Sequence, residues 1–384
     1  MHVLVLPKWY PGRPDPQLGD FIRKQMLAVA EQHKVSVIYP CPIKDLPSAY
    51  EEVLDESAGA WELRCYYRPS ALEAAPLRKA VNFFLYRRTL RTGIERLKRE
   101  RGLPELIHAH ILTRPVWAAW WWARKWDVPF VASEQSSVHL DGTWQRKSNR
   151  AKGIDQFLFR QAAALTAVSP HLAAALTMAG LGKTHAVVPN VVPGMELSLP
   201  PRGPSGRFMM VADLVDRTKN VSGVLRALAA TRSQGNDFQL EIIGDGPDRE
   251  MLHTLADQLG ISAHVRWHGR LAHADVLPAM ASTGTVIINS NFETFSVVTG
   301  EALASGKPVI ATRCGGPEAF ITPQNGILIP VADDIALAQA MVRIAGEHEN
   351  YSPATVRESV SQRFSPKAIA DGFDTVYQNA LAHG

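Results

Sequence analysis

The chain is poor in cysteine and has no long apolar run. Its three cysteines, Cys41, Cys65 and Cys314, are an odd number without metal-ligand spacing, so reduced thiols in a cytoplasm are the simple expectation. No apolar stretch approaches the roughly 18 residues that a membrane span requires, and the longest, Val116 to Ala123, falls far short. The first residues, Met1-His2-Val3-Leu4-Val5-Leu6-Pro7, lack a basic segment and a small-residue cleavage site. They read as a first β-strand rather than a signal peptide. Internal repeats, low-complexity segments and recognised nucleic-acid-binding motifs are all missing, and nucleic acid is not expected as a partner.

What is present is an alternation of strand-like and helix-like segments over 384 residues, enough for two domains of ordinary size. The first half offers strands at 2–7, 35–39, 61–67, 106–110, 130–134, 165–169 and 186–189, with helices between most of them. The second half restarts at Phe208 and offers strands at 208–212, 240–244, 265–269, 286–290, 309–312 and 327–330. Between them, residues 189–206 are so dense in proline and glycine that they read as an interdomain linker. The expected division is therefore 1–190, a linker at 191–206, 207–365, and a last helix within 366–384. Two doubly wound domains on one linker predict a ligand between them, at the carboxyl ends of both sheets.

The densest chemical signal lies between Thr285 and Ile310. Thr285-Val286-Ile287-Ile288 reads as a buried strand, followed by a polar loop carrying Glu293. A helix begins near Ser296, carries Glu301 in its second turn and stops at Gly306. This aims a helix N-terminus, with its partial positive charge, at whatever Glu293 touches. Glu301 lies about 10 Å further back at 1.5 Å per helical residue, the size of a diphosphate flanked by two sugars. A capping acid plus a solvated surface glutamate is the plain structural alternative.

Glu293 and Glu301, set before Glu301-Ala302-Leu303-Ala304-Ser305-Gly306-Lys307-Pro308-Val309-Ile310, resemble the E-x7-E motif of retaining glycosyltransferases of family 4. The resemblance implies an α/β architecture of the GT-B type, two Rossmann-like domains facing across a cleft. The N-terminal domain would take the acceptor and the C-terminal one the nucleotide-sugar donor, with the last helix crossing back to the first domain. It implies that Glu293 holds donor-sugar hydroxyls and Glu301 the ribose, with Ser290, Phe295, Ser296 and Val297 among the donor contacts.

Further segments extend the resemblance from Phe208 to about Ala340. After the second domain's first strand, relatives carry an arginine and a lysine that meet the diphosphate, where charge builds as the sugar leaves. Lys219 matches, displaced by one residue, while Asp213 stands at the arginine position, and Arg217 is the candidate replacement. Gly244 and Gly246 resemble the glycine turn under the nucleotide, since glycine lets a backbone approach a ligand closely. Arg270 and Leu271 follow the strand end that reads the base, where His268 is equally a packed strand histidine. Cys314-Gly315-Gly316-Pro317-Glu318 and Asn325-Gly326-Ile327 match scaffold turns.

In the first half, Gly19-Asp20-Phe21-Ile22-Arg23-Lys24-Gln25 resembles the family's helix start, and Gly19 is expected to bring loop backbone to the phosphate. For His108 and His110 the expectation is that they point to opposite faces, one to the core and one to the cleft, without forming a zinc site. Ser133-Glu134-Gln135 ends the next strand where relatives read Glu-His. Gln135 can bind a sugar hydroxyl but takes no proton near neutral pH. It therefore suits a front-face substitution in which the leaving phosphate accepts the acceptor's proton, with His139 or His110 as alternative bases. No Asp-x-Asp occurs, which argues for metal-independent diphosphate binding rather than a GT-A site.

From Pro76 to Arg101 nine Lys/Arg stand against two Glu, on a segment whose apolar residues recur at helical spacing. Such a helix suits an anionic membrane surface and a lipid-linked acceptor, or simply packs on its own sheet with a solvated face. Trp117, Trp120 and Trp121 share a helical face, which points to core packing.

The expectation is a cytoplasmic enzyme, peripheral on the inner face of the membrane if the basic helix docks there. It moves a sugar from a UDP- or GDP-linked donor to a hydroxyl of a glycan or lipid-linked saccharide, with no cofactor. Catalysis would rest on Glu293, Lys219 and Gln135. Glu301, Arg217, Gly244, Gly246, Arg270, Leu271, Ser290 and Gly19 would bind donor, and His110, Glu134 and His139 would face the acceptor. The alternatives are a non-catalytic nucleotide-sugar-binding protein, or a phosphorylase or epimerase of the same fold.

Overall fold

The computed structural model describes residues 1–383. The chain forms two compact units, 1–191 with 366–384, and 192–365. The first is built on an eight-stranded sheet. Along the chain run β1 (His2–Pro7), α1 (Asp20–Ala30), β2 (Lys34–Pro42), β3 (Tyr50–Asp55), β4 (Trp61–Tyr67) and α2 (Ala75–Glu100). There follow β5 (Leu106–His110), α3 (Arg114–Trp126), β6 (Phe130–Glu134), α4 (Thr143–Arg146) and α5 (Asn149–Arg160). The sheet ends with β7 (Ala164–Ala167), α6 (Pro170–Met178) and β8 (Ala186–Val187). Its order is β3-β4-β2-β1-β5-β6-β7-β8. All neighbours are parallel except β3, which runs antiparallel to β4. β3 escapes the sequence reading because Tyr50-Glu51-Glu52-Val53-Leu54-Asp55 is a half-buried, charged edge strand with no apolar run.

The second unit carries β9 (Arg207–Val211), α7 (Asp216–Lys219), α8 (Val221–Ser233), β10 (Gln239–Ile243), α9 (Arg249–Gln258) and β11 (Val265–Gly269). Then come α10 (His273–Ala281), β12 (Thr285–Ile288), α11 (Val297–Ala304), β13 (Val309–Thr312) and β14 (Gly326–Ile329). α12 (Asp334–Gly346) and α13 (Pro353–Ser361) complete it. The strand order β11-β10-β9-β12-β13-β14 reverses direction between β9 and β12, so the loops after those two strands lie at the topological switch point. The proline-rich stretch 192–206 is packed on this unit rather than free. The buried Lys307 ammonium donates to the Pro201 carbonyl (2.9 Å), and Arg357 donates to the Leu197 carbonyl (2.8 Å).

α14 (Pro366–His383) packs in the first unit, placing Ile369, Phe373 and Tyr377 in the core that holds Val3, Val5 and α1 residues Ile22, Met26 and Val29. The tryptophans of α3 depart from expectation. The helix meets the sheet through Pro115, Val116, Ala118, Ala119 and Ala123. Trp117 and Trp120 are half-buried and Trp121 is exposed. Small side chains let α3 lie close on β5 and β1, which leaves no room beneath it for indole rings.

Candidate functional site

The loops after β9, β12 and β13 converge at the switch point of the second sheet. Asn291 donates its backbone N–H to the Thr218 carbonyl (2.8 Å) and its side-chain amide to the Arg217 carbonyl (2.9 Å). Glu293 is clamped to the turn after β13, donating to the Cys314 carbonyl and accepting from the Gly316 N–H, both at 3.0 Å. Gly316 has to be glycine, since a Cβ there would lie 2.6 Å from the Phe295 backbone. Phe295 anchors the loop from below, buried against Phe320 and Phe364 with ring centroids 4.7 and 5.6 Å away.

The rigid loop brings together Lys219 and Glu293, which are 74 positions apart in sequence. The Lys219 ammonium donates to Glu293 Oε1 at 2.6 Å, and the Ser290 hydroxyl donates to the same oxygen at 2.8 Å. Their side chains keep 24% and 14% of their exposure, so a ligand can still reach both. Burial works against the charge on Lys219, but the Glu293 carboxylate more than offsets it, and its pKa lies above the ordinary lysine value. Burial pushes the Cys314 thiol up to about 12, which keeps this neighbour uncharged.

Ser296 precedes α11 in the left-handed conformation (φ 71°), and its hydroxyl accepts from Thr299 Oγ1 at 2.8 Å instead of capping the helix. The Thr299 N–H donates to the Ser296 carbonyl (3.1 Å), and among the described residues the N–H groups of Val297 and Val298 are left to outside partners. Glu301 is buried in the second turn, as the spacing predicts.

Asp213 and Arg270 form an exposed ion pair at 3.4 Å, joining the ends of β9 and β11. A cation therefore stands beside Asp213 after all, and it is Arg270. The Arg217 side chain is exposed on α7. Leu271 is half-buried beside Arg270. Gly244 and Gly246 lie on the chain's own backbone: a Cβ would fall 1.8 Å from the Ala212 carbonyl oxygen and 2.5 Å from that of Leu214. His268 pairs with Glu241 at 2.6 Å and is a strand histidine.

The strand ends of the first unit are closed, and Glu134 is their buried charge. His108 and His110 correct the expectation of opposite faces: their rings lie 4.0 Å apart, both buried. Side chains alternate along a strand, so positions i and i+2 share a face. His108 bonds the Tyr377 hydroxyl (2.7 Å) and Ser133 Oγ (2.6 Å). Burial lowers the pKa of both rings, that of His110 to about 3, and Glu134 only partly counters this at His110. Gln135 donates to Gln25 Oε1 (2.8 Å) and lies 3.3 Å from His110 Nδ1. Among the described residues, Gln135 Oε1 and His110 Nε2 are buried without a hydrogen-bond partner. Gln25 belongs to the pattern that flagged Gly19, and its part in this network is not visible from that pattern. Gly19 itself (φ 70°) lies on the backbone of Trp9, where a Cβ would come within 2.4 Å.

Glu134 is committed to the loops after β5 and β6. It accepts from the N–H groups of Leu112, Gln135 and Ser136 and from the Ser136 hydroxyl, at 2.7–3.1 Å. Burial would raise its pKa, but His139, 3.8 Å away, and the Ser136 donors outweigh it and hold the carboxylate down to about 2. His139 is buried beside Trp144, ring centroids 5.1 Å apart.

Comparison with known proteins identifies the family and the fold. The model described as "Glycosyltransferase Family 4" matches residues 25–193, and "Glycosyl transferases group 1" matches residues 200–352. The lipopolysaccharide core biosynthesis glycosyltransferase LpsD of Rhizobium meliloti is 31% identical over 181 residues, 46% of this chain and 49% of that protein. The chain thus spans about half the length of this curated relative. Among solved structures, the apo lipopolysaccharide outer core galactosyltransferase WaaB superposes with a TM-score of 0.72 at 19% identity, over 99% of this chain and all of the other. Anabaena HepE in complex with UDP gives 0.74 at 17% identity, over 98% and 100%. The fold is GT-B, and the chain belongs to the family 4 glycosyltransferases.

Proposed function

We propose that the protein is a retaining, metal-independent glycosyltransferase. It moves a hexosyl or related sugar from a nucleotide-diphosphate donor to a hydroxyl of a glycan or lipid-linked saccharide, in cell-surface polysaccharide or glycolipid synthesis. The observation that carries this reading is the Lys219–Glu293 pair beside the uncapped start of α11. A cation and free helix N–H groups suit a diphosphate, and a carboxylate suits the hydroxyls of the sugar attached to it. In the pair, each group holds the place its ligand takes: phosphate replaces Glu293 at Lys219, and sugar hydroxyls replace Lys219 at Glu293. Glu301 takes the ribose and Arg270 the outer phosphate. HepE structures with UDP-glucose support a uridine nucleotide as the first donor to try.

The anomeric C–O bond to phosphate breaks while the acceptor oxygen bonds the same carbon on the same face. The acceptor's proton passes to the departing phosphate oxygen. Gln135 positions a hydroxyl and takes no proton, and His110, with its pKa near 3, is a poor base. The test is transfer followed by proton NMR of the new glycosidic bond, with EDTA present. Retention of anomeric configuration under chelation is expected. Inversion, or activity restored only by a divalent cation, would overturn the reading.

A further inference from the structure

Three helices of the first unit meet side by side and carry an outward face of aromatic rings and cations that the proposed chemistry does not use. Phe83 of α2 packs edge-on against Trp117 of α3 (5.0 Å), and Trp120 of α3 packs edge-on against Phe157 of α5 (5.7 Å). Arg87 of α2 lies over both Trp117 and Trp121, at 5.2 and 5.8 Å. Arg124 lies over Trp120 (5.8 Å) and Lys125 over Trp122 (4.9 Å).

Large apolar side chains stand exposed on the same helices: Phe84 at 62%, Ile154 at 59%, Leu77 at 53% and Trp121 at 46%. All residues from 71 to 80, including the start of α2, are exposed. Between Ala74 and Ile94 the chain has five cations, Arg78, Lys79, Arg87, Arg88 and Arg91, and no acid.

We propose that this face of α2, α3 and α5 docks on the headgroup region of an anionic phospholipid bilayer. Exposed Trp and Phe beside arginine suit the boundary between headgroups and acyl chains, where a ring buries its body and a guanidinium meets lipid phosphate. The cations supply the charge complement to an anionic leaflet. Two other occupants fit less well. A glycan stacks on ring faces, and here guanidinium and ammonium groups cover the faces of Trp117, Trp120 and Trp122. A second copy of the chain would bring the five cations of each α2 together, and like charges repel across an interface. The docking stands apart from the donor site, so its failure leaves the transferase reading intact.

The test is co-sedimentation of the full chain with phosphatidylcholine vesicles, with and without phosphatidylglycerol, at low and high salt. Binding that requires phosphatidylglycerol and weakens with salt is expected. Arg87→Gln with Arg88→Gln should cut it by about 30-fold, since each basic residue near a charged leaflet contributes on the order of fivefold. Trp121→Ser should cut it severalfold at every salt concentration, while donor turnover in solution stays unchanged for both variants. Equal sedimentation with both vesicle types, binding indifferent to these substitutions, dimerisation through this face, or capture of soluble glycan by it would each overturn the proposal.

Discussion

Both units end their parallel strands in polar residues, yet the two sets of strand ends differ in kind. In the second unit Lys219 and Glu293 carry opposite charges, stay partly exposed and answer mainly to each other. In the first, His108, His110, Glu134 and Gln135 are enclosed, and their partners are serine, tyrosine, glutamine, His139 and backbone. A site that grips a diphosphate needs reachable charge whose partner can be displaced. Fixed dipoles, which buried neutral groups supply at lower desolvation cost, suit a neutral hydroxyl, and the one carboxylate among these four, Glu134, is held by its hydrogen-bond donors and His139.

The largest effect should come from Glu293→Gln. Nucleotide release from the donor should fall by about 100-fold or more, the scale of losing one preorganised polar contact in a transition state. Binding of the bare nucleoside diphosphate should persist or tighten, because Lys219 loses its resident carboxylate. A parallel loss of both would dissolve the distinction between sugar-holding and phosphate-holding residues.

Gly244→Ala probes the scaffold beneath the charged loops. Its Cβ would meet the Ala212 carbonyl oxygen at 1.8 Å, at a φ of 141° that side chains avoid. A stability loss of about 2–3 kcal/mol in urea unfolding is expected. An unchanged midpoint would mean that the turn after β10 is not packed as described.

The buried groups of the first unit predict its pH response. His110 takes a proton near 6.5 when unfolded but only near 3 when folded. The unfolded state therefore binds more protons between those values, and stability falls as pH drops through that window and is complete above it. Each such histidine contributes at most about 1.4 kcal/mol per pH unit. Glu134 adds a second loss between its ordinary 4.5 and about 2, again toward acid. Thermal unfolding from pH 7 to 4 checks this, and His110→Gln should flatten the slope. A wild-type midpoint constant over that range would contradict the buried network.

The smallest effect belongs to Arg270→Ala. The Asp213–Arg270 pair is exposed and worth under about 1 kcal/mol to stability. Donor affinity should drop by about two- to tenfold with no change in unfolding. A larger change for Arg217→Ala would move the auxiliary cation back to α7.

Much of the second unit is legible in the sequence because it is local. Thr285–Ile288 is an unbroken apolar run, and Glu293, Ser296 and Glu301 follow within one strand–loop–helix passage. The Asp213–Arg270 and Gln25–Gln135 contacts are not legible, since they join residues 57 and 110 positions apart with no pattern between them. The His108–Tyr377 bond spans 269 positions and depends on α14 packing in the first unit. The tryptophans mislead for a different reason. Helical periodicity identifies a shared face but not which face meets the sheet, and here alanines take that place.

The most direct test is titration calorimetry of UDP and GDP into the wild-type protein and Lys219→Ala. The account predicts that one nucleotide binds the wild type and that the variant binds it about 10- to 100-fold more weakly, as for loss of a hydrogen-bonded charge. Equal affinity in the two proteins would contradict it.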